Sequence, residues 1–223
     1  MKTKEIKLTE KEKKRLEIIM EKRKKLEKDG YICQEKIFSA LYMNVMGALV
    51  MLPYVILMIV IFGALNFQAG GSWQNLRMRN YFPSYGLFLI SMLAALVILV
   101  VLHELIHGIC FSCFVPGGWK SIDFGFNATA IEPYCTCLEP LSKKAYITSA
   151  LMPTIFLGFL PCLTAPFLGN SFILLLGLFM IFGGAGDFLM IYNLIKFKPK
   201  NCDILFLDHP TEIGSLFFIK EKP

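Results

Sequence analysis

The sequence predicts an all-α integral membrane protein with about four transmembrane helices, a charged N-terminal cytoplasmic helix and short β-like segments in a loop and in the tail. Of its 223 residues, 55% are hydrophobic, and the mean hydropathy is +0.56. The apolar residues form long runs, each of which can supply the roughly 20 residues that a spanning helix needs. The basic residues lie at the ends of these runs and in the N-terminal segment, as they do in polytopic membrane proteins.

The net charge of +6 does not favour a nucleic-acid partner, because the basic residues lie where they orient a protein in the lipid bilayer. The seven cysteines form no disulfide-scaffold pattern, and several lie within or beside apolar runs, so we expect reduced thiols. Cys135 and Cys137 form one close pair. A structural zinc site would need a second pair, which is not evident.

Residues 1–36 alternate lysine, arginine and glutamate around scattered apolar residues. This pattern predicts a charged helix that begins after Thr9 and ends near Gly30. We interpret it as a solvated cytoplasmic helix. A helix lying on anionic lipid is the alternative, which its acidic residues disfavour. Because charged sequence precedes the first apolar run, we expect that run to be retained as an anchor.

Residues 37–200 are predicted to form one polytopic domain, and residues 201–223 a cytoplasmic tail. The predicted spans are residues 41–65, 85–111, 146–168 and 172–195, each long enough to cross a bilayer with some tilt. Ser149, Pro153 and Pro161 lie in the third span, where they would kink or open the helix beside a substrate cleft.

The distribution of positive charge predicts the orientation of these spans. Lysines and arginines precede the first span and follow the second and fourth, whereas only Arg77 and Arg79 lie between the first two. The positive-inside rule then places both termini and residues 112–145 in the cytoplasm, and residues 66–84 outside.

Two short stretches outside the spans have a β-like composition. Residues 122–126 and 130–134 lie in a loop that is rich in glycine, proline and aromatic residues, and they predict a short hairpin near the membrane surface. Residues 203–220 of the tail carry two apolar clusters around Asp208, His209 and Pro210, which predict another strand or two.

A motif of two histidines and a glutamate lies within the second predicted span, at His103, Glu104 and His107. Ionisable residues at that depth are costly to bury and are candidates for function. At positions i and i+4 of a helix, the two imidazoles project from one face and can hold a single Zn²⁺. Glu104 would then act as the general base that activates water to hydrolyse a peptide bond. Simple packing of the histidines in a bundle is the alternative.

A catalytic zinc site usually has three protein ligands, so a third must come from elsewhere in the chain. Asp187 is the leading candidate, because it lies within the fourth span after glycines that let the helix break or approach a neighbour closely. A hydrogen bond to the backbone or to Asn193 is the alternative role. His209, Glu132 and Glu139 are weaker candidates, because they lie in the tail or the loop.

Together these motifs resemble the zincin peptidase family of small bacterial integral membrane proteins. The resemblance rests on residues 102–108, 134–137, 151–153 and 186–187, and it covers most of the chain after the basic N-terminus. It implies a reaction class, that of a zinc metallopeptidase in the bacterial cell membrane, and no particular substrate. We expect the partner to be a peptide or membrane-protein substrate in or near the bilayer.

The family in turn resembles site-2 proteases, and this implies a role for each residue. His103 and His107 would be metal ligands, Glu104 the general base and Asp187 the third ligand. The sequence departs from the site-2 pattern at one point. Those proteases carry an aspartate followed by a glycine, whereas here Gly186 precedes Asp187.

Two other functions remain open at the level of sequence. A non-catalytic metal-binding sensor or scaffold would keep the metal but would not depend on Glu104. A transporter would use the intramembrane histidines and Asp187 as a proton or ion relay, but four spans without an inverted repeat disfavour it.

Overall fold

The computed structural model describes residues 9–68, 82–127 and 132–222. These residues form a mostly helical molecule that also contains two β-sheets. Most of the predicted external loop, including Arg77 and Arg79, lies outside the described residues, as do Ala130 and Ile131 of the predicted hairpin.

Helix α1 (Glu10–Lys28) begins where the sequence predicts. The Thr9 hydroxyl accepts a hydrogen bond from the Glu12 backbone at 3.3 Å, and the Glu12 carboxylate accepts one from the Thr9 backbone at 2.7 Å. This reciprocal capping satisfies two backbone donors at the start of the helix. Gly30 follows the end of α1 with φ of +88°, a conformation that favours glycine.

Four strands form an antiparallel sheet in the order β1-β6-β5-β4. They are β1 (Ile32–Ile37), β4 (Leu141–Ser142), β5 (Cys202–Asp208) and β6 (Gly214–Glu221). The tail supplies the two central strands, in agreement with the predicted tail strands. Strand β1 was not predicted, because its few apolar residues carry no clear alternation, and its place is decided by pairing with β6. The sequence predicted an all-α fold with only short β-like segments, and the observed β-sheets are more extensive than that prediction.

The apolar helices match the predicted spans closely. They are α2 (Ala40–Gln68), α3 (Tyr85–Ser112), α4 (Lys143–Thr154) continued through a π-helical turn (Ile155–Phe159) into α5 (Leu160–Thr164), and the pair α6 (Ser171–Gly183) and α7 (Ala185–Lys196). Among the described residues, three helices are long and apolar enough to cross a membrane, and the bent pair α6 and α7 makes a fourth candidate. The prediction of a mostly helical protein is confirmed. Of the four predicted spans, three are single apolar helices, and the fourth is a candidate only if the bent pair α6 and α7 is counted as one span.

A hairpin of β2 (Ile122–Asn127) and β3 (Glu132–Cys137) packs on the last turns of α3. Gly108 allows this close contact, because a Cβ atom there would lie 3.3 Å from Ile122 Cγ2 and 3.2 Å from the Phe124 ring. The hairpin therefore lies directly beside the turn of α3 that carries the histidine motif.

Helix α7 is held against α2 by another close approach at a glycine. A Cβ atom at Gly47 would lie 3.0 Å from Ala185 Cβ and 3.1 Å from its carbonyl oxygen. Gly63, on the same helix α2, has open space at the corresponding point. The contact at Gly47 therefore depends on the missing side chain, and it positions the first turn of α7.

We expect Gly47→Leu to lower the free energy of unfolding by about 1–3 kcal/mol, the usual cost of overpacking. Gly63→Leu is the matched control and should have little effect, since its side chain meets no neighbour. Thermal unfolding of the two detergent-solubilised variants measures the difference. Equal midpoints for the two variants would contradict the close packing of α2 on α7.

Candidate active site

Helix α3 carries both motif histidines on its buried face. His103 and His107 are 7% and 5% exposed, and Phe111 follows one turn later at 4%. Their spacing of four residues places the three side chains on one face of the helix. The His107 and Phe111 rings stack with centroids 5.9 Å apart. The motif therefore points into the protein.

Asp187 lies in the first turn of α7, opposite these histidines. The break between α6 and α7 at Gly184 creates a helix N-terminus within an apolar run, and the partial positive charge there favours a carboxylate. Gly184 also packs tightly on α4, because a Cβ atom there would lie 3.1 Å from Thr154 Cβ. The broken helix thus gives Asp187 a favourable position that a continuous span would lack.

The three side chains meet in a compact cluster. Asp187 Oδ2 lies 3.2 Å from His103 Nε2 and 3.3 Å from His107 Nε2, and the two Nε2 atoms lie 3.2 Å apart. Zinc bonds of about 2.0–2.1 Å in tetrahedral geometry separate neighbouring ligand atoms by about 3.3 Å. Nitrogen and oxygen donors at these separations fit a single zinc ion. Among the described residues, this is the one group of three or more such side chains that could hold a metal.

A backbone carbonyl determines the tautomer of His107. His107 Nδ1 lies 3.1 Å from the Ser149 carbonyl oxygen. A carbonyl oxygen can only accept, so Nδ1 carries the hydrogen and the lone pair of Nε2 in the neutral ring faces the cluster. A partner of this kind on the far nitrogen is typical of metal-binding histidines. His103 Nδ1 is buried and has no hydrogen-bond partner among the described residues.

A cavity of ≈ 360 Å³ contains the cluster, and Glu104 lines it together with the three side chains. The Glu104 carboxylate has the backbone of Cys135 as a hydrogen-bond partner. Cys135 belongs to β3, so this strand runs alongside the motif. The site thus combines three ligand atoms and a carboxylate with a strand at the cavity wall.

A second carboxylate, which is half-buried, lies in the wall of the same cavity. Asp208, at the end of β5, accepts hydrogen bonds from the Thr136 hydroxyl at 2.8 Å and the Tyr146 hydroxyl at 3.0 Å. Burial raises the pKa of Asp208, and these two hydrogen bonds oppose that rise. The network joins β5 to β3 and α4, and so ties the sheet to the helices that surround the cluster.

The model of a family described as "Putative zincin peptidase" matches residues 96–202, a range that includes both motif histidines, Glu104 and Asp187. The matched segment, just under half of the chain, is similar to this family. The resemblance that the motifs predicted is thereby confirmed for residues 96–202, and it indicates a metallopeptidase with zinc as its metal. No curated protein and no solved structure matches the chain. The likeness to site-2 proteases stays a prediction.

His209, a weaker candidate for the third ligand, lies outside the cluster although it lines the cavity. Its Nδ1 atom accepts hydrogen bonds from the backbone of Thr211 and Glu212, and its Nε2 atom lies 3.9 Å from Glu35. Burial lowers the pKa of His209. The residue therefore stabilises the turn between β5 and β6.

The loop carboxylates also lie apart from the cluster where they are described. Glu139 accepts hydrogen bonds from the Ser121 hydroxyl and from the Gly117 backbone, so it stabilises the turn before β2. The Glu132 side chain lies outside the described part of the chain.

All seven cysteines are free, and the Cys135 and Cys137 thiols belong to no metal-binding group among the described residues. Burial raises the pKa of both thiols, that of Cys137 to about 12. Both thiols are therefore protonated at neutral pH in the metal-free protein.

Sequence reasoning missed Asp208 as a residue of the site. It stood out only as part of an Asp-His-Pro sequence in the tail, and its partners Tyr146 and Thr136 lie 62 and 72 positions away. No local pattern marks such a contact.

Helix α1, which lies outside the zincin peptidase segment, bridges the two sides of the cavity mouth. Arg15 Nε donates a hydrogen bond to the Pro210 carbonyl at 3.0 Å, and the guanidinium lies 4.6 Å from the centre of the Tyr134 ring. Lys11 Nζ lies 3.0 Å from the Asp123 carboxylate on β2. These contacts connect the hairpin to the turn between β5 and β6.

Loss of this bridge should expose the cavity wall. We expect Arg15→Ala to speed alkylation of Cys135, which lines the cavity, while Cys202 on β5 reacts as in wild type. Peptide-resolved mass spectrometry after iodoacetamide treatment gives both rates. Lys13→Ala is the matched control, because Lys13 pairs only with Glu10 on its own helix among the described residues. An unchanged Cys135 rate in Arg15→Ala would contradict the bridge.

Proposed function

We propose that this protein is a membrane-embedded zinc metallopeptidase that hydrolyses a peptide bond in or near the membrane. The observation that carries the proposal is the mutual 3.2–3.3 Å separation of three ligand atoms from His103, His107 and Asp187. We assign these residues as the zinc ligands and Glu104 as the general base. The family match over residues 96–202 supports the reaction class.

The chemistry follows from the residues around the cluster. Zinc bound there would polarise the scissile carbonyl and activate water for attack at neutral pH. Glu104, on the same turn of α3 and in the same cavity, takes the proton of the attacking water on its carboxylate and delivers it to the leaving nitrogen. The Cys135 backbone orients the Glu104 carboxylate for this transfer. No covalent bond between protein and substrate is needed.

The apolar surface of α3 supports a location in the bilayer. Leu89, Leu93, Val97 and Val101 recur at every fourth residue and are each 57–67% exposed. Only 6% of the most apolar stretch of α3 is buried within the protein. Soluble proteins rarely expose so large a continuous apolar surface to water. In a bilayer, lipid chains would cover this surface and keep it out of water. The peptide or membrane-protein substrate would meet the site within or beside this lipid.

We place the protein in the bacterial cell membrane. The charge distribution supports an orientation there with both termini in the cytoplasm. His103 lies 18 residues after Tyr85, or roughly 27 Å along the helix at 1.5 Å per residue. The cluster would then lie in the inner leaflet, near the sheet and helix α1. A substrate would be cut close to the cytoplasmic surface.

Metal content tests the ligand assignment. We expect about one zinc per chain in detergent-purified wild-type protein, and its loss in His103→Ala, His107→Ala and Asp187→Ala. Glu104→Gln should retain zinc, because Glu104 is assigned no role as a ligand. His209→Ala is the matched histidine control and should also retain zinc. Elemental analysis of the purified proteins measures these contents.

The alternatives give different results in the same measurement. Well-folded wild-type protein that binds no zinc after zinc is supplied would refute the metallopeptidase proposal. Zinc lost in His209→Ala but kept in Asp187→Ala would reassign the third ligand.

Turnover tests the role of Glu104. We expect vesicles that contain the wild-type protein to generate new peptide termini in co-reconstituted bacterial membrane proteins. Glu104→Gln should lower the rate at which these termini form by about 10²-fold or more, the lower end of the range for general acid–base catalysis. Mass spectrometry of new N-termini is the measurement. Termini that appear equally with Glu104→Gln would exclude its catalytic role, and zinc retention without any cleavage would favour a non-catalytic metal-binding sensor or scaffold.

A further inference from the structure

The hydrogen bond between His107 and the Ser149 carbonyl depends on a local irregularity in α4. In a regular α-helix, the carbonyl of Ser149 would accept a hydrogen bond from the backbone N–H four residues later. The residue at that position is Pro153, which has no backbone N–H. Pro153 therefore leaves the Ser149 carbonyl without its usual intrahelical donor.

The proline ring has a second effect on the same carbonyl. A proline inside a helix clashes with the carbonyl oxygen four residues before it, so that carbonyl tilts away from the helix axis. Pro153 is fully buried within α4, and the Ser149 carbonyl accepts from His107 Nδ1 on the neighbouring helix at 3.1 Å. The missing donor and the tilt thus both favour a bond from α4 to α3.

We propose that Pro153 is a positioning residue for the metal site, which frees the Ser149 carbonyl to hold His107 with Nδ1 protonated and Nε2 facing the cluster. The proposal rests on the proposed zinc site and adds a residue that contacts neither metal nor substrate. Outer-shell partners of this kind typically affect metal affinity by about 10–100-fold when they are lost. Pro153 acts one step further out, because it controls the availability of that partner.

Restoring a backbone N–H at this position should release His107. In Pro153→Ala, the new N–H bonds to the Ser149 carbonyl within the helix and competes with the imidazole. We expect zinc affinity to fall by about tenfold, measured by competition with a chromophoric chelator. Pro153→Gly also restores the N–H without adding bulk, and should give the same loss. Pro161→Ala is the matched control, because Pro161 lies in the same apolar run, beyond the turn that contacts His107.

The tautomer of His107 gives a readout that needs neither zinc nor turnover. In metal-free wild-type protein, at a pH alkaline enough to keep the His107 ring neutral, the ¹⁵N chemical shifts of the ring should report a hydrogen on Nδ1, and in Pro153→Ala a mixture of the two tautomers. A role limited to helix shape would leave this ratio unchanged. Removal of proline from a helix interior should also raise the thermal midpoint, opposite in sign to the loss of affinity.

Each outcome bears on the proposal. The proposal would be overturned if both Pro153 variants kept the ring shifts and the zinc affinity of the wild type. Their unfolding midpoints must be no lower than that of the wild type for this comparison. An equal loss of affinity in Pro161→Ala would also overturn it, since any change to the run would then suffice. If wild-type protein bound no zinc, the proposed function would fail, but the ring shifts of metal-free Pro153→Ala would still decide the role of Pro153.

Discussion

The meeting of two imidazoles and a carboxylate among apolar helices is the constraint on which the rest of this structure depends. Polar groups of this kind are costly in an apolar environment unless each has a partner. His103, His107 and Asp187 lie within 3.3 Å of one another, and a divalent cation between them would supply the missing partner. The helix irregularities and close helix contacts around the cluster bring these three side chains together.

Two helix irregularities provide that geometry. The break at Gly184 begins a new helix just before Asp187, which places the carboxylate near a helix N-terminus. Pro153 removes a backbone donor from α4 and so leaves the Ser149 carbonyl for His107. In a membrane, irregular backbone of this kind is tolerated where it is buried in protein or lines a cavity. Both irregularities lie against the cluster.

Close packing at small residues brings the elements near enough for these contacts. Gly47 lets α2 approach the start of α7, Gly184 lets that start approach α4, and Gly108 lets the hairpin approach α3. Outside the apolar helices, α1 and the four-stranded sheet complete the cavity. Asp208 links the sheet to that cavity through partly buried hydrogen bonds. Helix α1 and the sheet therefore line the cavity, while the apolar helices α3 and α7 supply the three side chains of the cluster.

The sequence by itself determined the local features: the approximate bounds of the apolar helices, the start of α1 at Thr9, and the placement of His103 and His107 on one helix face. Each depends on residues within a few positions of one another, through hydropathy, capping or helical period. Only the tertiary structure decided that Asp187 and not His209 meets the histidines, that Asp208 joins the cavity wall, and that β1 pairs with β6. These contacts join residues far apart in the chain, and packing selects among partners that a local pattern leaves equivalent.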